Sequence, residues 1–385
     1  VFNQNEIAIN SVMFWAVAFA AIALLNMASG VRAKSYLFAG VNLAFLFLLL
    51  GKSVVFVPLF VGAVFVVLQS FSIKSAKLAT LTISSTILFF MFMVNKLQAS
   101  VASFTAVGSI LAIVGFSFIT LRCVEVIRGV FSGQHAAPSL VMLTNYLVPF
   151  HMLAAGPIAA YDDFARKPFD DARLTNEDVM QAVEVIARGL FNKFVLCYFI
   201  DKIFLSGFRS DGAAFVLETL MFTLWSYLDF SSYSNIALGI GKLAGVTTPV
   251  NFRNPLISRN VIDFWDRWHI SLSHFVKRNV FMPIQIALMR SRMRPRPLLY
   301  ASFATTVSFL LVGLWHGIAL KWLTWGALHA LGLVGVRVYT HFLQKALTPQ
   351  QMVAYRKNMA IRVVATVVTY VYVAFAFLAV ALIGR

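Results

Sequence analysis

Phe264-Trp265-Asp266-Arg267-Trp268-His269-Ile270-Ser271-Leu272-Ser273, followed by a basic run and then by Gly313-Leu314-Trp315-His316-Gly317, decides how the rest of the chain is read. The second histidine falls in 303–320, a stretch almost free of charge. An ionisable side chain at membrane depth is costly and usually functional. Two histidines, each beside a tryptophan, point to a membrane protein whose working groups are imidazoles.

The composition agrees. Of 385 residues, 60% are hydrophobic and only 12% charged, with a mean hydropathy of +0.80; a soluble domain carries about 25% charged residues. The fold class is therefore all-α, a polytopic integral membrane protein. Apolar stretches near 11–28, 36–51, 54–70, 78–95 and 101–121 each approach the length of a spanning helix. Further spans are expected near 213–241, 298–320, 322–343 and 361–383, for about eleven spanning or half-spanning segments at ~20 residues each. No cleavable leader is apparent, and the first apolar stretch reads as a retained span.

Basic residues exceed acidic ones by 32 to 15, a formal charge of +17. In a membrane protein this excess first marks cytoplasmic loops. Arg32 and Lys34, Lys74 and Lys77, and Arg122 and Arg128 follow the first, third and fifth spans, so the N-terminus is expected outside. No nucleic-acid partner is expected; membrane lipids and an acidic protein partner remain open. Cys123 and Cys197 have apolar neighbours and no metal-ligand spacing, and read as free packing residues. No metal site is expected.

After residue 130 the pattern changes. Pro149, Gly156 and Pro157 interrupt apolar sequence, and irregular backbone at that depth needs protein or a water-filled cavity to satisfy it. Thr175 and Asp178 look like a helix start. Glu184 and Arg188 are spaced to pair on one helical face. Tyr227, Asp229, Tyr233 and Asn235 form a polar cluster in an apolar helix, suited to lining a cavity or to bridging helices. Ser258 or Asn260 is placed to cap the helix that carries His269. Arg290, Arg292, Arg294 and Arg296, with two prolines, must lie in a cytoplasmic loop.

If His269 is mid-helix, Asp266 and Ser273 lie one turn either side on its face, and Asp266 is placed to orient the ring. The alternative is a histidine bonded to a backbone carbonyl. His316 is flanked by Gly313 and Gly317, which would admit a substrate, and by Trp315 as a wall. Burial would keep this imidazole a neutral base; the alternative is a single helix-bridging hydrogen bond. Trp265 and Trp268 support the His269 site. His274, His329 and His341 read as surface or helix-packing residues, and His151 as a minor candidate. No Walker loop, GxSxG, HExxH or Cys/His set occurs, which removes ATPases, serine hydrolases and zinc proteases. An enzyme using histidine directly, or a transporter or flippase, remains.

Leu228-Asp229-Phe230-Ser231-Ser232-Tyr233-Ser234, Asn251-Phe252-Arg253-Asn254-Pro255, Asp263 to His269 and Gly313 to Gly317, with Ala155-Gly156-Pro157-Ile158, resemble the membrane-bound O-acyltransferase (MBOAT) family in order across 145–345. The resemblance implies a core with a central tunnel, His316 at its narrow centre and His269 as the second histidine. It divides a single domain, 1–385, into scaffold helices 1–130, a catalytic core 131–345 and a C-terminal span 346–385. Within the family the chain is similar to the branch that moves D-alanine toward teichoic acids. That branch implies a bacterial cytoplasmic membrane and no permanently bound cofactor. The donor it implies is the phosphopantetheine thioester of an acidic acyl carrier protein, or acyl-CoA, with the 290–296 arginines as its dock. The acceptor would be an extracytoplasmic polymer or a relay protein. The branch that O-acetylates exported polysaccharides such as alginate is the alternative.

Overall fold

The protein is described by a computed structural model covering residues 9–73, 77–98, 115–170, 173–205, 212–291 and 296–383. The described residues are helical, and their one β feature is an isolated bridge from Phe169 to Val246. Val31–Leu50, Pro297–His316 and Met359–Val380 are long and apolar enough to cross a membrane. Val12–Met27, Phe56–Ser70, Lys77–Met93 and Leu140–Met152 are shorter apolar helices. Large apolar side chains such as Phe19, Leu59, Phe90 and Val368 point outward, the arrangement lipid favours over water.

The chain forms two compact units, Val1–Phe191 with Ser232–Pro249, and Asn192–Ser231 with Val250–Arg385. The first contains α1 (Val12–Met27), α2 (Val31–Leu50), α3 (Phe56–Ser70), α4 (Lys77–Gln98), α5 (Phe116–Phe131) and α6 (Leu140–Leu147). Short α7 (Tyr161–Arg166) and polar α8 (Asn176–Phe191) follow. The Thr175 hydroxyl accepts from Asp178 N at 3.1 Å, and the Asp178 carboxylate accepts from the Thr175 hydroxyl at 2.6 Å. The carboxylate also accepts from Thr175 N at 3.1 Å, and the hydroxyl bond first, then this backbone bond, hold Asp178 down to about 2. Glu184 and Arg188 pair as spaced.

Two expectations for this unit need correction. Residues 101–114 of the expected fifth span lie outside the described residues, but Arg122 is no connector. It sits inside α5 and is 1% exposed. Its guanidinium donates to the carbonyls of Leu147 at 3.1 Å, Met152 at 3.1 Å and Pro157 at 3.3 Å. Lys34 likewise lies within α2, buried, with its ammonium donating to Asp170 O at 2.8 Å. Counting charges along a sequence cannot separate a loop cation from one that binds carbonyls contributed by distant residues.

The break expected around Pro149–Pro157 is present. After α6 the chain runs through a 3-10 turn, Phe150–Met152, and stays irregular and largely buried to Ala160. Arg122 serves its carbonyls. Asn42 serves an amide, its side-chain oxygen accepting from Phe150 N at 2.9 Å. The Tyr233 hydroxyl accepts from Ala154 N at 3.3 Å.

In the second unit, π-helical turns at Asn192–Leu196 and Asp201–Leu205 flank short α9 (Cys197–Ile200). Long α10 (Gly212–Ala244) begins here and ends in the first unit. Then come α11 (Val261–Trp265), α12 (Ile270–Val276), a π-helical turn at Lys277–Phe281, and α13 (Met282–Met289). The unit closes with α14 (Pro297–His316), α15 (Leu320–Ala346), α16 (Pro349–Lys357) and α17 (Met359–Ile383). Asn260, not Ser258, caps α11 through its side-chain oxygen.

Replacing Arg122 strands buried carbonyls, at about 1–3 kcal/mol for each acceptor left unsatisfied. Lysine cannot restore a planar fork that reaches three separate groups. Arg122→Ala and Arg122→Lys should both lower the thermal unfolding midpoint in detergent, whereas replacing exposed Arg188 with alanine should not.

Candidate active site

The His269 site departs from the helical spacing. Helix α11 ends at Trp265, and α12 starts at Ile270. His269 stands between them with φ 43°, in the left-handed region that non-glycine residues rarely occupy. Asp266 is therefore not one helical turn below the ring; it is exposed. The carboxylate that acts locally is Asp263, which pairs with Arg267 at 2.6 Å. The Ser273 hydroxyl donates to Trp265 O at 2.9 Å, closing the bend.

Asn251 stands where Asp266 was expected. Its side-chain oxygen receives Ser271 N at 3.2 Å, the Ser271 hydroxyl at 2.9 Å and His269 Nδ1 at 3.2 Å. A backbone N–H only donates, so Ser271 fixes which end of the amide is oxygen. His269 Nδ1 must then carry a proton, and a neutral ring has its lone pair on Nε2. The backbone cooperates: Ile270 N donates to Asn251 O at 3.0 Å, and Arg253 N to Arg267 O at 2.9 Å. This reversed connection holds His269 in its left-handed conformation. The His269 ring is buried, edge-on to Phe230 at 4.8 Å.

His316 is the last residue of α14 and half-buried. Trp322 stacks on it at 5.0 Å and 20°, while Trp315 and Trp325 stand edge-on at 4.7 and 5.1 Å. The flanking glycines do not open a path for substrate. A Cβ at Gly317 would meet the Trp322 ring at 2.6 Å, and one at Gly313 would strike the Trp322 carbonyl. They let α14 and Trp322 approach each other. The Trp325 indole lies against both His316 and His329, at 5.1 and 4.5 Å.

His329, expected to be a surface or packing residue, is fully buried. Trp265 Nε1 donates to its Nδ1 at 3.3 Å. Trp268 stacks on Phe264 at 5.4 Å and stands edge-on to Phe377 at 5.5 Å. Within this unit Asp229 is buried and paired with Lys193 at 2.5 Å. That is a bridge between α10 and the π-helical turn. In the first unit Tyr233 binds the irregular segment, and Asn235 is half-buried beside Gly189. Arg290 and Arg296 are exposed; Arg292 and Arg294 lie outside the described residues. Among the described residues no group of three or more metal-ligating side chains occurs.

Residues 70–381 match the model of MBOAT, the membrane-bound O-acyltransferase family. The chain belongs to that family. Membership places the histidines, Asn251 and Arg122 within the matched region, and identifies the apolar helices as those of an integral membrane protein. The chain is 32% identical over 239 residues to a teichoic acid D-alanyltransferase of Streptococcus thermophilus, covering 59% of this chain and 57% of that protein. It is 30% identical over 206 residues to a peptidoglycan O-acetyltransferase of Helicobacter pylori, covering 51% and 37%. A probable alginate O-acetylase of Pseudomonas aeruginosa is 30% identical over 251 residues, covering 63% and 46%. The chain thus spans little more than half the length of the first of these relatives and less of the others.

Sequence reasoning quoted Asn251 only as part of a motif and gave it no role at the His269 site. Asn251→Leu removes the shared acceptor and frees the His269 ring to turn. Misplacing a reacting group by ~1 Å can cost about 10²-fold, so the variant's acyl-transfer rate should fall by that order. Asn251→Asp, which keeps the acceptor, should retain more activity.

Proposed function

We propose that the protein is a membrane O-acyltransferase that moves an acyl group, D-alanyl, from a thioester to a hydroxyl. The observation that carries the reading is His316. This half-buried imidazole ends α14 and is framed by three tryptophans, and the proton of a second imidazole, His269, is placed on Nδ1 by Asn251.

His316 takes the proton of the acceptor hydroxyl as its oxygen attacks the thioester carbonyl. The tetrahedral intermediate expels the thiolate, which recovers the proton, leaving an ester and a free thiol. The carbonyl end of α14 favours the imidazolium formed on the way; a helix C-terminus is worth about 0.3–1 kcal/mol to a nearby cation. His269 orients the acceptor through its Nε2 lone pair. Trp315, Trp322 and Trp325 exclude water from the reacting groups.

The donor in this reading is the phosphopantetheine thioester of an acidic acyl carrier protein, or acyl-CoA, met at the basic 290–296 loop on the cytoplasmic side. The acceptor is a cell-envelope polymer or relay protein on the far side of a bacterial cytoplasmic membrane. The 32% identity to a D-alanyltransferase supports D-alanyl. The 30% identity to an alginate O-acetylase over a larger share of this chain supports acetyl as the second reading.

Purified protein in nanodiscs, given D-alanyl-pantetheine or acetyl-pantetheine thioester and a polyol acceptor, should release thiol and form ester. A transporter would release none. General base catalysis contributes about 10²–10⁴-fold, so His316→Ala should lose nearly that factor while remaining folded; turnover at the wild-type rate would remove the assignment. Arg290→Glu with Arg296→Glu should weaken binding of an acidic carrier, most visibly at low salt. Unchanged binding would make those arginines topology anchors only.

A further inference from the structure

Indole nitrogen donates and never accepts, so the bond from Trp265 Nε1 obliges His329 Nδ1 to accept. In a neutral ring the proton then sits on Nε2. That atom is buried and has no hydrogen-bond partner among the described residues. A buried donor without an acceptor is unusual enough to need an explanation. The surroundings are otherwise closely built. Trp325 lies 4.5 Å from His329 at 61°, and the same indole lies 5.1 Å from His316 at 75°. Trp265 is edge-on to His329 at 5.2 Å and to Trp325 at 5.8 Å, and Phe377 covers the imidazole from 6.1 Å. One tryptophan is thus held between two imidazoles, and a second is tied to the deeper one by a hydrogen bond.

We propose that His329 is a positioning residue for His316: through Trp325 and Trp265 it fixes the aromatic wall against which the His316 ring is set. The proposal rests on the reading of His316 as the base. Helix packing alone would need only the ring's volume. The oriented acceptor on Nδ1 and the donor on Nε2 go beyond that need. Leucine keeps most of the apolar volume and neither polar atom. Glutamine keeps one acceptor and one donor on a side chain of similar reach.

The test uses the full chain in nanodiscs with the pantetheine thioesters and polyol acceptor. For His329→Leu, kcat should fall about 10²-fold, the loss expected of a reacting group displaced by ~1 Å, with KM and thermal midpoint close to wild type. His329→Gln should recover most of that loss. Trp265→Phe, which keeps the ring and deletes the donor, should lower kcat in the same direction and add little when combined with His329→Leu. Wild-type kcat in His329→Leu overturns the proposal, as does equal loss in the leucine and glutamine variants. If His329→Leu fails to fold, Trp265→Phe decides: unchanged kcat there overturns it. His316→Ala run in parallel separates the two readings. Turnover in His316→Ala sinks the base assignment, whereas an inactive His316→Ala beside a fully active His329→Leu sinks this inference alone.

Discussion

A backbone group that leaves a helix away from water must find its partner inside the protein, and the irregular stretches here are each gathered by a side chain from elsewhere in the sequence. Arg122 collects three carbonyls from 147–157, spreading its charge over neutral oxygens. Asn251 collects a backbone N–H, a hydroxyl and an imidazole nitrogen at the α11–α12 junction. In each case one planar group satisfies atoms that the local fold has left exposed. Removing it would strand several at once.

That constraint explains what the sequence disclosed. The apolar spans were legible because composition and length alone make them: α1 to α4, α14, α15 and α17 fall close to the stretches read from hydropathy. Thr175, Asn260 and the Glu184–Arg188 pair were legible because caps and four-residue spacings are local. His269 was misplaced because nothing near it announces a break; neither glycine nor proline occurs in 264–273. The break is imposed by Asn251, eighteen residues earlier. Arg122 and Lys34 were misread for the same reason: their partners lie far along the chain.

The candidate site shows the same division. Histidine beside tryptophan in apolar sequence is a local signal, and it marked His316 and His269. Whether a histidine is exposed or enclosed is not local, so His329 passed as unremarkable until its tryptophan neighbours were in place. A usable signal did exist: His329 follows Trp322 and Trp325 at helical spacing, which sets all three on adjoining faces of one helix. The glycines around His316 were read as room for a substrate, whereas their space is taken by Trp322. Small residues in membrane helices commonly bring backbones together.

That close approach has a mechanical corollary. Gly313 meets the Trp322 carbonyl and Gly326 meets the Phe309 carbonyl, so α14 and α15 touch main chain to main chain, with no pliable side chain between to absorb a slide. The two helices travel as one body, carrying His316, Trp322, Trp325 and His329 in fixed register. Uneven winding is found elsewhere in this unit, in the π-helical turns at 192–196, 201–205 and 277–281.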